Sequence, residues 1–187
     1  MTRLTTTPPD QLTAEQREQY DRIARTRPPR EDGSIGGPFD PWIRSPELAR
    51  RAVGLGDFIW ERTTVGRRLV ELAVIVTARF WESNVEWWAH SRMAREHGVA
   101  QETIDAVFAR RRPEAAPEDE LLAYDVCVAL HETHRLPAEL YARAVERFGE
   151  QGVVEIVGTI GFYTMVAMTL SAFDVGVPPG ATAAFPD

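Results

Sequence analysis

The sequence predicts an all-α fold, a bundle of helices around a buried core. Apolar residues recur at spacings of three and four through almost every periodic segment. Proline and glycine gather at the ends of those segments and in one long stretch near the N-terminus. Of the 187 residues, 44% are hydrophobic and 26% are charged, which is typical of a globular chain able to fold without disulfides.

The N-terminal region is predicted to hold one helix followed by a loop. Thr13 is a favourable N-cap residue, and the helix formers of residues 15–24 come directly after it. Residues 27–41 contain seven prolines and glycines, which favour a loop. We expect residues 1–41 to extend a single domain that spans residues 1–187 and ends in an exposed tail over residues 175–187.

The first of the central helices is predicted over residues 46–60. Ser45 would cap it, and the proline that follows is suited to the first helical position. Thr63 or Thr64 is expected to open the next helix. Its apolar, β-branched run resembles a buried strand, but it continues to Phe80 without a turn signal, a length that favours helix. Further helices are predicted over residues 83–97, 101–110, 119–134, 137–148 and 153–173.

The last predicted helix is long and apolar enough to approach the length of a membrane span. Glu155 and Asp174 bracket it, and several hydroxyl-bearing residues lie within it. Because no second segment of this kind occurs, we predict a buried core helix and no membrane partner.

Charge and cysteine content exclude several functions. The formal net charge of −7 gives no electrostatic basis for binding nucleic acid or anionic membranes. Cys127 is the single cysteine, so neither an internal disulfide nor a zinc site of several thiolates can form, and its apolar surroundings predict an inert thiol. Residues 1–10 lack the apolar segment of a secretory signal, so we expect a cytoplasmic protein.

The two halves of the chain resemble each other. Residues 46–53 resemble residues 138–145, and residues 69–72 resemble residues 153–156. Two helix pairs related by a pseudo-two-fold axis would explain this, and chance similarity between helix-forming sequences is the alternative. The polar cluster within residues 83–90 occurs in the first half only, so we infer that a functional site lies in one copy.

That polar cluster is the strongest candidate site. On a helix, Ser83, Glu86 and His90 fall on one face about 60° wide, and Glu86 lies one turn before His90. Carboxylate and imidazole groups beside aromatic surface are poorly hydrated, which brings their pKa values toward neutrality for proton transfer. Three tryptophans flank the cluster: Trp81, Trp87 and Trp88.

Glu71 adds a second acid to the candidate site. It lies in an apolar run, and a buried carboxylate must be neutral, paired or hydrogen-bonded. His90 or Arg79 is the expected partner, and a buried glutamate next to a histidine has the form of a proton relay. The alternative is that Glu71 ties down the end of a helix.

The remaining residues of the candidate site could also have purely structural roles. Ser83 and Glu86 match a capping box, His90 can be a satisfied core histidine, and the tryptophans can be core residues. Glu86, His90 and His97 share a face that could hold a divalent ion, but His97 lies at the predicted helix end, so we predict no metal. Two further histidines, His131 and His134, are expected at a solvated helix end.

The segment from Arg68 to Arg79, the run Glu86-Trp-Trp-Ala-His90, and the later Gly98-Val99 together resemble the carboxymuconolactone decarboxylase family. This family includes the alkyl hydroperoxidase D branch, and the similarity covers about residues 48–109. The resemblance implies an all-helical fold, a homo-oligomer (trimer or hexamer) and a site near a subunit boundary.

The chain departs from the peroxidase branch of that family at both redox positions. In that branch a glutamate is followed by a CxxC pair and then by a histidine. The glutamate matches Glu71 here, and the histidine matches His90. The two cysteine positions fall on Ser83 and Glu86, and these side chains cannot cycle through a disulfide. Peroxiredoxin activity, which membership of the family would suggest, is therefore disfavoured for this chain.

The decarboxylase branch performs acid/base chemistry without a cofactor. The resemblance therefore predicts a cofactor-independent lyase acting on a small carboxylated or lactone-type molecule. His90 would be the general acid/base, Glu86 its partner and Glu71 the buried residue that orients it. The alternatives are a peroxidase and a non-catalytic oligomeric binding module. Substrate contacts are predicted for Ser83, Trp81, Trp87, Trp88, Arg79, Phe39 and Trp42, with Arg92 as a second candidate for binding carboxylate.

Overall fold

The computed structural model describes residues 2–186, and all of their regular secondary structure is helical, as predicted. A short 3-10 helix at Pro9–Gln11 precedes eight α-helices. The helices are α1 (Ala14–Ala24), α2 (Phe39–Ile43), α3 (Pro46–Glu61), α4 (Arg67–Phe80), α5 (Asn84–Glu96), α6 (Gln101–Phe108), α7 (Glu118–Thr133) and α8 (Ala138–Ala172).

Several helix ends follow the sequence signals, whereas the start of α4 does not. The Thr13 hydroxyl caps α1 in a capping box with Gln16, and Gly98, with φ of +96°, ends α5. Helix α4 begins after Gly66 rather than at Thr63 or Thr64, because Gly66 adopts a backbone conformation (φ +80°) that interrupts the chain there.

The predicted loop before α3 contains the short helix α2. The Asp40 carboxylate accepts hydrogen bonds from the backbone N–H groups of Ile35 and Gly36, at 2.9 and 2.7 Å. These bonds fold the glycine-rich stretch back onto α2 and bring Phe39 and Trp42 against the rest of the protein.

Helix α4 is the centre of the bundle. Residues 69–78 are all buried, and the helix packs against α5, α7 and α8. Burial on every side explains why its sequence is a continuous apolar run without the alternation of a surface helix. A polar side chain within residues 69–78 is therefore placed inside the protein, which is how the fold positions Glu71.

Helix α8 combines the two last predicted helices. Gly149 adopts φ +71° and ψ 165°, so the chain turns sharply between an outer segment and the apolar segment that follows. The helix is long and apolar enough, by length and composition, to cross a membrane. It packs against α3, α4 and α7, as expected for a core helix, and just over half of its apolar segment is buried.

The C-terminal tail is anchored, contrary to the prediction of an exposed tail. Phe185 is 5% exposed and stacks on Phe108, with Trp87 on another side. The Asn84 side chain accepts hydrogen bonds from the backbone N–H groups of Ala184 and Phe185 and donates one to the Phe185 carbonyl. An isolated phenylalanine among small residues carries no periodic signal, so the sequence could not reveal this contact.

Candidate functional site

The centre of the site is a contact between Glu71 on α4 and His90 on α5. Glu71 is fully buried, and its Oε2 lies 2.7 Å from the Nδ1 of His90. A carboxylate at Glu71 accepts this hydrogen bond from Nδ1–H, and in a neutral imidazole the other ring nitrogen, Nε2, then carries the lone pair. The structure thus gives Glu71 one of the two partners expected from the sequence.

The other expected partner, Arg79, lies elsewhere. It is at the C-terminal end of α4, where its Nε donates to the Phe108 carbonyl at 2.6 Å and its Nη1 pairs with Glu82 at 3.1 Å. Arg67 takes the place that Arg79 was predicted to fill. Its Nη2 lies 2.5 Å from the Oε1 of Glu71, one helical turn along α4.

Glu86 is a second buried acid in the site. It is 2% exposed, and neither carboxylate oxygen has a hydrogen-bond partner within residues 2–186. Burial raises the pKa of Glu86 to about 8. The nearby Ser83 hydroxyl lowers this pKa, but burial is the larger effect. Ser83 does not cap α5, so the capping box, the alternative explanation for Ser83 and Glu86, is absent, and burial favours the protonated form of Glu86 at neutral pH.

A cavity of about 280 Å³ adjoins these groups, and both Glu86 and His90 line it. Among the predicted wall residues, Phe39, Trp42 and Trp88 line this cavity. It also includes residues that the sequence analysis missed, because they come from helices distant in sequence. These are Val53 and Trp60 of α3 and Phe162, Tyr163, Val166 and Leu170 of α8.

Tyr163 and Trp60 form a fixed aromatic wall beside His90. The Trp60 Nε1–H donates a hydrogen bond of 2.8 Å to the Tyr163 hydroxyl oxygen. The Tyr163 ring stands edge-on to the His90 ring, with centroids 5.0 Å apart. Burial raises the pKa of Tyr163 above its ordinary value, so the phenol stays neutral across the working pH range.

Four predicted contact residues do not line the cavity. Trp87 is the neighbour of Glu86 on α5, so its side chain leaves the helix about 100° away and packs against Phe108 and Phe185. Trp81 lies against Phe80. The remaining two, Ser83 and Arg79, are also outside the cavity lining, and Arg92 packs over the Trp88 ring and pairs with Glu96.

The cations that line the cavity come from the N-terminal extension. Arg27 is half-buried, with its guanidinium over Phe39 at 4.7 Å and over Trp60 at 5.9 Å, and burial lowers its pKa. Arg30 is exposed at the same cavity. Arg27 Nη1 donates a hydrogen bond of 3.0 Å to the Thr26 hydroxyl, and both arginines line the cavity.

The histidines outside this site do not form a metal cluster. His97 is exposed at the end of α5, and residues 2–186 contain no group of three or more metal-ligating side chains placed to hold an ion. His131 is buried, contrary to the predicted solvated position, because its Nε2 contacts the Thr77 hydroxyl at 3.0 Å and its ring stacks on Phe80. Burial lowers the pKa of His131 to about 4.

Cys127 is fully buried between α4 and its neighbours, and burial raises the pKa of its thiol to about 12. A thiol in this state is neither ionised at neutral pH nor accessible to a reactant. The structure thus agrees with the inert thiol inferred from the sequence.

Comparisons with solved structures identify the fold. The chain superposes on the alkylhydroperoxidase AhpD core of an uncharacterized peroxidase-related protein from Ralstonia eutropha JMP134, with a TM-score of 0.76 and 13% identity over 95% of this chain and 93% of that one. A peroxidase-related protein from Silicibacter sp. TM1040 gives a TM-score of 0.74 and 12% identity, over 95% and 92%.

A third similar structure is a point variant of the debrominase Bmp8 in complex with 2,3,4-tribromopyrrole. Its TM-score is 0.70, with 16% identity over 96% of this chain and 95% of that one. No family model and no curated protein sequence matches the chain. At these identities the comparisons establish the fold, which is that of the alkylhydroperoxidase D-like helical proteins.

Proposed function

We propose that this alkylhydroperoxidase D-like chain is a cofactor-independent acid/base enzyme of the carboxymuconolactone decarboxylase type, acting on a small carboxylated or lactone-type molecule. The observation that carries the proposal is the pairing, at one cavity, of a carboxylate-oriented imidazole with a second, protonated carboxyl group. An imidazole that can accept a proton and a buried carboxyl group that can donate one, both lining the same cavity, are suited to acid/base chemistry.

His90 supplies the base. Glu71 accepts the Nδ1–H hydrogen bond, so Nε2 is the nitrogen available to a molecule in the cavity. When Nε2 takes a proton, the positive imidazolium lies against the buried Glu71 carboxylate, which stabilises it. Glu71 therefore orients the ring and compensates its charge without contacting the substrate.

Glu86 supplies the acid. Loss of CO2 from a carboxylated substrate breaks a C–C bond and leaves its electron pair on the remaining molecule, which must gain a proton. Burial favours the protonated form of the Glu86 carboxyl group, which lines the cavity without a hydrogen-bond partner among residues 2–186, so it is placed to deliver that proton. The proton that Nε2 takes from the departing carboxyl group then passes through water to Glu86, which restores both groups for the next cycle.

The walls of the cavity support the proposed substrate class. Its interior is largely aromatic and aliphatic, which suits a small ring, and its volume of about 280 Å³ is at the lower end for small-molecule sites. Arg27 and Arg30 offer guanidinium groups that bind carboxylates through paired N–H donors. In this proposal they bind the substrate carboxylate, the role that the sequence suggested for Arg79 or Arg92.

Substitution of His90 tests the proposal. We expect His90→Ala to abolish turnover of a panel of carboxylated lactones, measured as CO2 release, and to leave the helical circular dichroism signal unchanged. His97→Ala is the matched control, because His97 lies exposed at the end of the same helix. Full activity in the His90→Ala protein would refute the role of the imidazole.

Peroxide reduction is the second candidate, because two of the similar structures are described as peroxidase-related. The dithiol centre that this reaction requires is missing, and Cys127 is buried. Turnover of peroxide with a dithiol donor that survives Cys127→Ser would overturn the argument from the missing thiols. A cavity that binds carboxylates without converting any of them would instead favour a binding module.

We also propose that the protein is cytoplasmic and assembles with copies of itself, as a trimer or hexamer. Support comes from α8, where Val154 and Met168 are 70% and 50% exposed and no charged residue occurs between Glu155 and Asp174. Light scattering on the purified protein measures the mass, and a monomer at micromolar concentration would contradict the proposal.

A further inference from the structure

Glu71 has two partners, and its mechanistic role so far uses only one of them. Its Oε2 contacts His90, whereas its Oε1 faces Arg67 at 2.5 Å. Glu71 is fully buried and the Arg67 side chain is 16% exposed, so this ion pair is shielded from water. Arg67 itself does not line the cavity.

We propose that Arg67 is a positioning residue that sets the tautomer of His90 by keeping Glu71 in its carboxylate form. The effect on turnover rests on the proposed function, but the effect on the imidazole does not. The site then includes three residues, with Glu71 between Arg67 and His90.

The physical reason is the cost of an isolated buried charge. A carboxylate that loses its cationic partner inside a protein is strongly destabilised and takes up a proton. A protonated Glu71 would donate its O–H to Nδ1 of His90, which then must be an acceptor. The imidazole proton would then sit on Nε2, so the cavity would face an N–H donor where it now faces a lone pair.

The surroundings of Arg67 hold its guanidinium in one place. The guanidinium carbon lies 3.6 Å above the centroid of the Trp60 ring, and Nη1 donates to the Trp60 carbonyl at 3.3 Å. Trp60 is fixed in turn by its hydrogen bond to Tyr163. Arg67 Nε has no hydrogen-bond partner within residues 2–186, so the orientation of the guanidinium depends on its contacts with Trp60 and Glu71.

Other charged or titratable groups face His90 from the elements around it. Glu86 lies on the same helix, Tyr163 on α8 and Arg27 just after α1, and all three line the cavity with His90. None of them contacts Nδ1, whose partner is Glu71. The tautomer therefore depends on Glu71, and the charge of Glu71 depends on Arg67.

Nitrogen NMR of the protein labelled with ¹⁵N-histidine tests this directly. In the wild-type protein we expect an unprotonated Nε2 signal for His90, assigned by its loss in His90→Ala. In Arg67→Met we expect a protonated Nε2 together with an unprotonated Nδ1, and turnover to fall by up to about 10⁴-fold, the scale of a wrong tautomer in a catalytic triad. Arg67→Lys should restore the wild-type signal, because it restores the positive charge.

The matched control is Arg68→Met. Arg68 is the next residue on α4 and pairs with Asp119 and Glu120, away from His90, so its loss should leave the His90 signal unchanged. If Arg67→Met does not fold, Glu71→Gln provides the same test, since its amide N–H can donate to Nδ1. An unprotonated Nε2 in Arg67→Met overturns the proposal, whatever happens to turnover. Activity that survives His90→Ala contradicts the proposed function and leaves this NMR result standing.

Discussion

Glu86 should make the stability of this protein fall as the pH rises. Its carboxyl group is 2% exposed and lacks a hydrogen-bond partner within residues 2–186, and burial raises its pKa from 4.5 to about 8. Between these two values the folded protein holds a proton on Glu86 that the unfolded chain has released. The free energy of unfolding therefore decreases with rising pH across this window.

The size of the effect follows from the pKa difference. Each unit of pKa shift corresponds to about 1.4 kcal/mol, so ionised Glu86 destabilises the fold by roughly 5 kcal/mol above pH 8. At pH 7, where the folded carboxyl group is still mostly protonated, the cost is roughly 3 kcal/mol. Below about pH 4.5 this contribution is absent, because both states carry the proton.

Urea unfolding of the wild-type and Glu86→Gln proteins from pH 4.5 to 9 measures this effect. The difference in unfolding free energy should rise by about 1.4 kcal/mol per pH unit in favour of the glutamine variant, and level off above pH 8. Glu139→Gln, which removes an exposed carboxylate at the start of α8, is the control for a change in net charge. A difference that is constant from pH 5 to 8 would show that Glu86 is ionised or paired in the folded state.

Two further predictions concern buried side chains outside the cavity. Burial lowers the pKa of His131 from 6.5 to about 4, so the folded state resists its protonation and stability should fall by roughly 3 kcal/mol as the pH drops through that window. Urea unfolding should show a smaller acid loss in His131→Gln, and an equal loss would be evidence against a neutral buried imidazole. Phe185→Ala should cost about 3 kcal/mol by removing a ring packed on Phe108, measured in the same way at pH 7. A cost below about 0.5 kcal/mol, on the order of an ordinary surface substitution, would mean that the tail is not anchored in solution.

The pairing of Glu71 with His90 could be anticipated because local physics restricts it. A carboxylate in a continuous apolar helix must find a partner, and few polar residues in the neighbouring helix can reach it. The all-α fold and most helix ends were predictable for a similar reason, since periodicity and capping are local signals. Arg79, the alternative partner, does not reach Glu71, because residues eight apart on a helix are separated by two turns.

The cavity wall could not be predicted, because periodicity defines the face of a helix and not what that face meets. Trp81 and Trp87 are near the site in sequence but pack elsewhere. Trp60 and Tyr163, which contact His90, are separated by about a hundred residues and meet only in the folded bundle. Tertiary contacts of this kind leave no signal in a single sequence.

The sequence alignment of the two halves pairs Glu71 with Glu155, and comparing these two glutamates shows what distinguishes the candidate site. Glu155 on α8 occupies the position that corresponds to Glu71 on α4, and it too is buried. Its carboxylate accepts two hydrogen bonds from Thr64, at 2.6 and 2.8 Å, and one from Gln151. Burial raises the pKa of Glu155, but these hydrogen bonds outweigh that effect and lower it overall.

The partners of these two glutamates therefore decide their roles. Glu155 accepts hydrogen bonds from uncharged groups that do not titrate, and these bonds favour its ionised form. The bonds from Thr64 also attach the segment before α4 to α8. Glu71 instead faces a guanidinium on one oxygen and a titratable imidazole on the other, so it couples a fixed charge to a group that can exchange a proton. The same buried position thus serves packing in one half, whereas a histidine and an arginine suit it to proton transfer in the other.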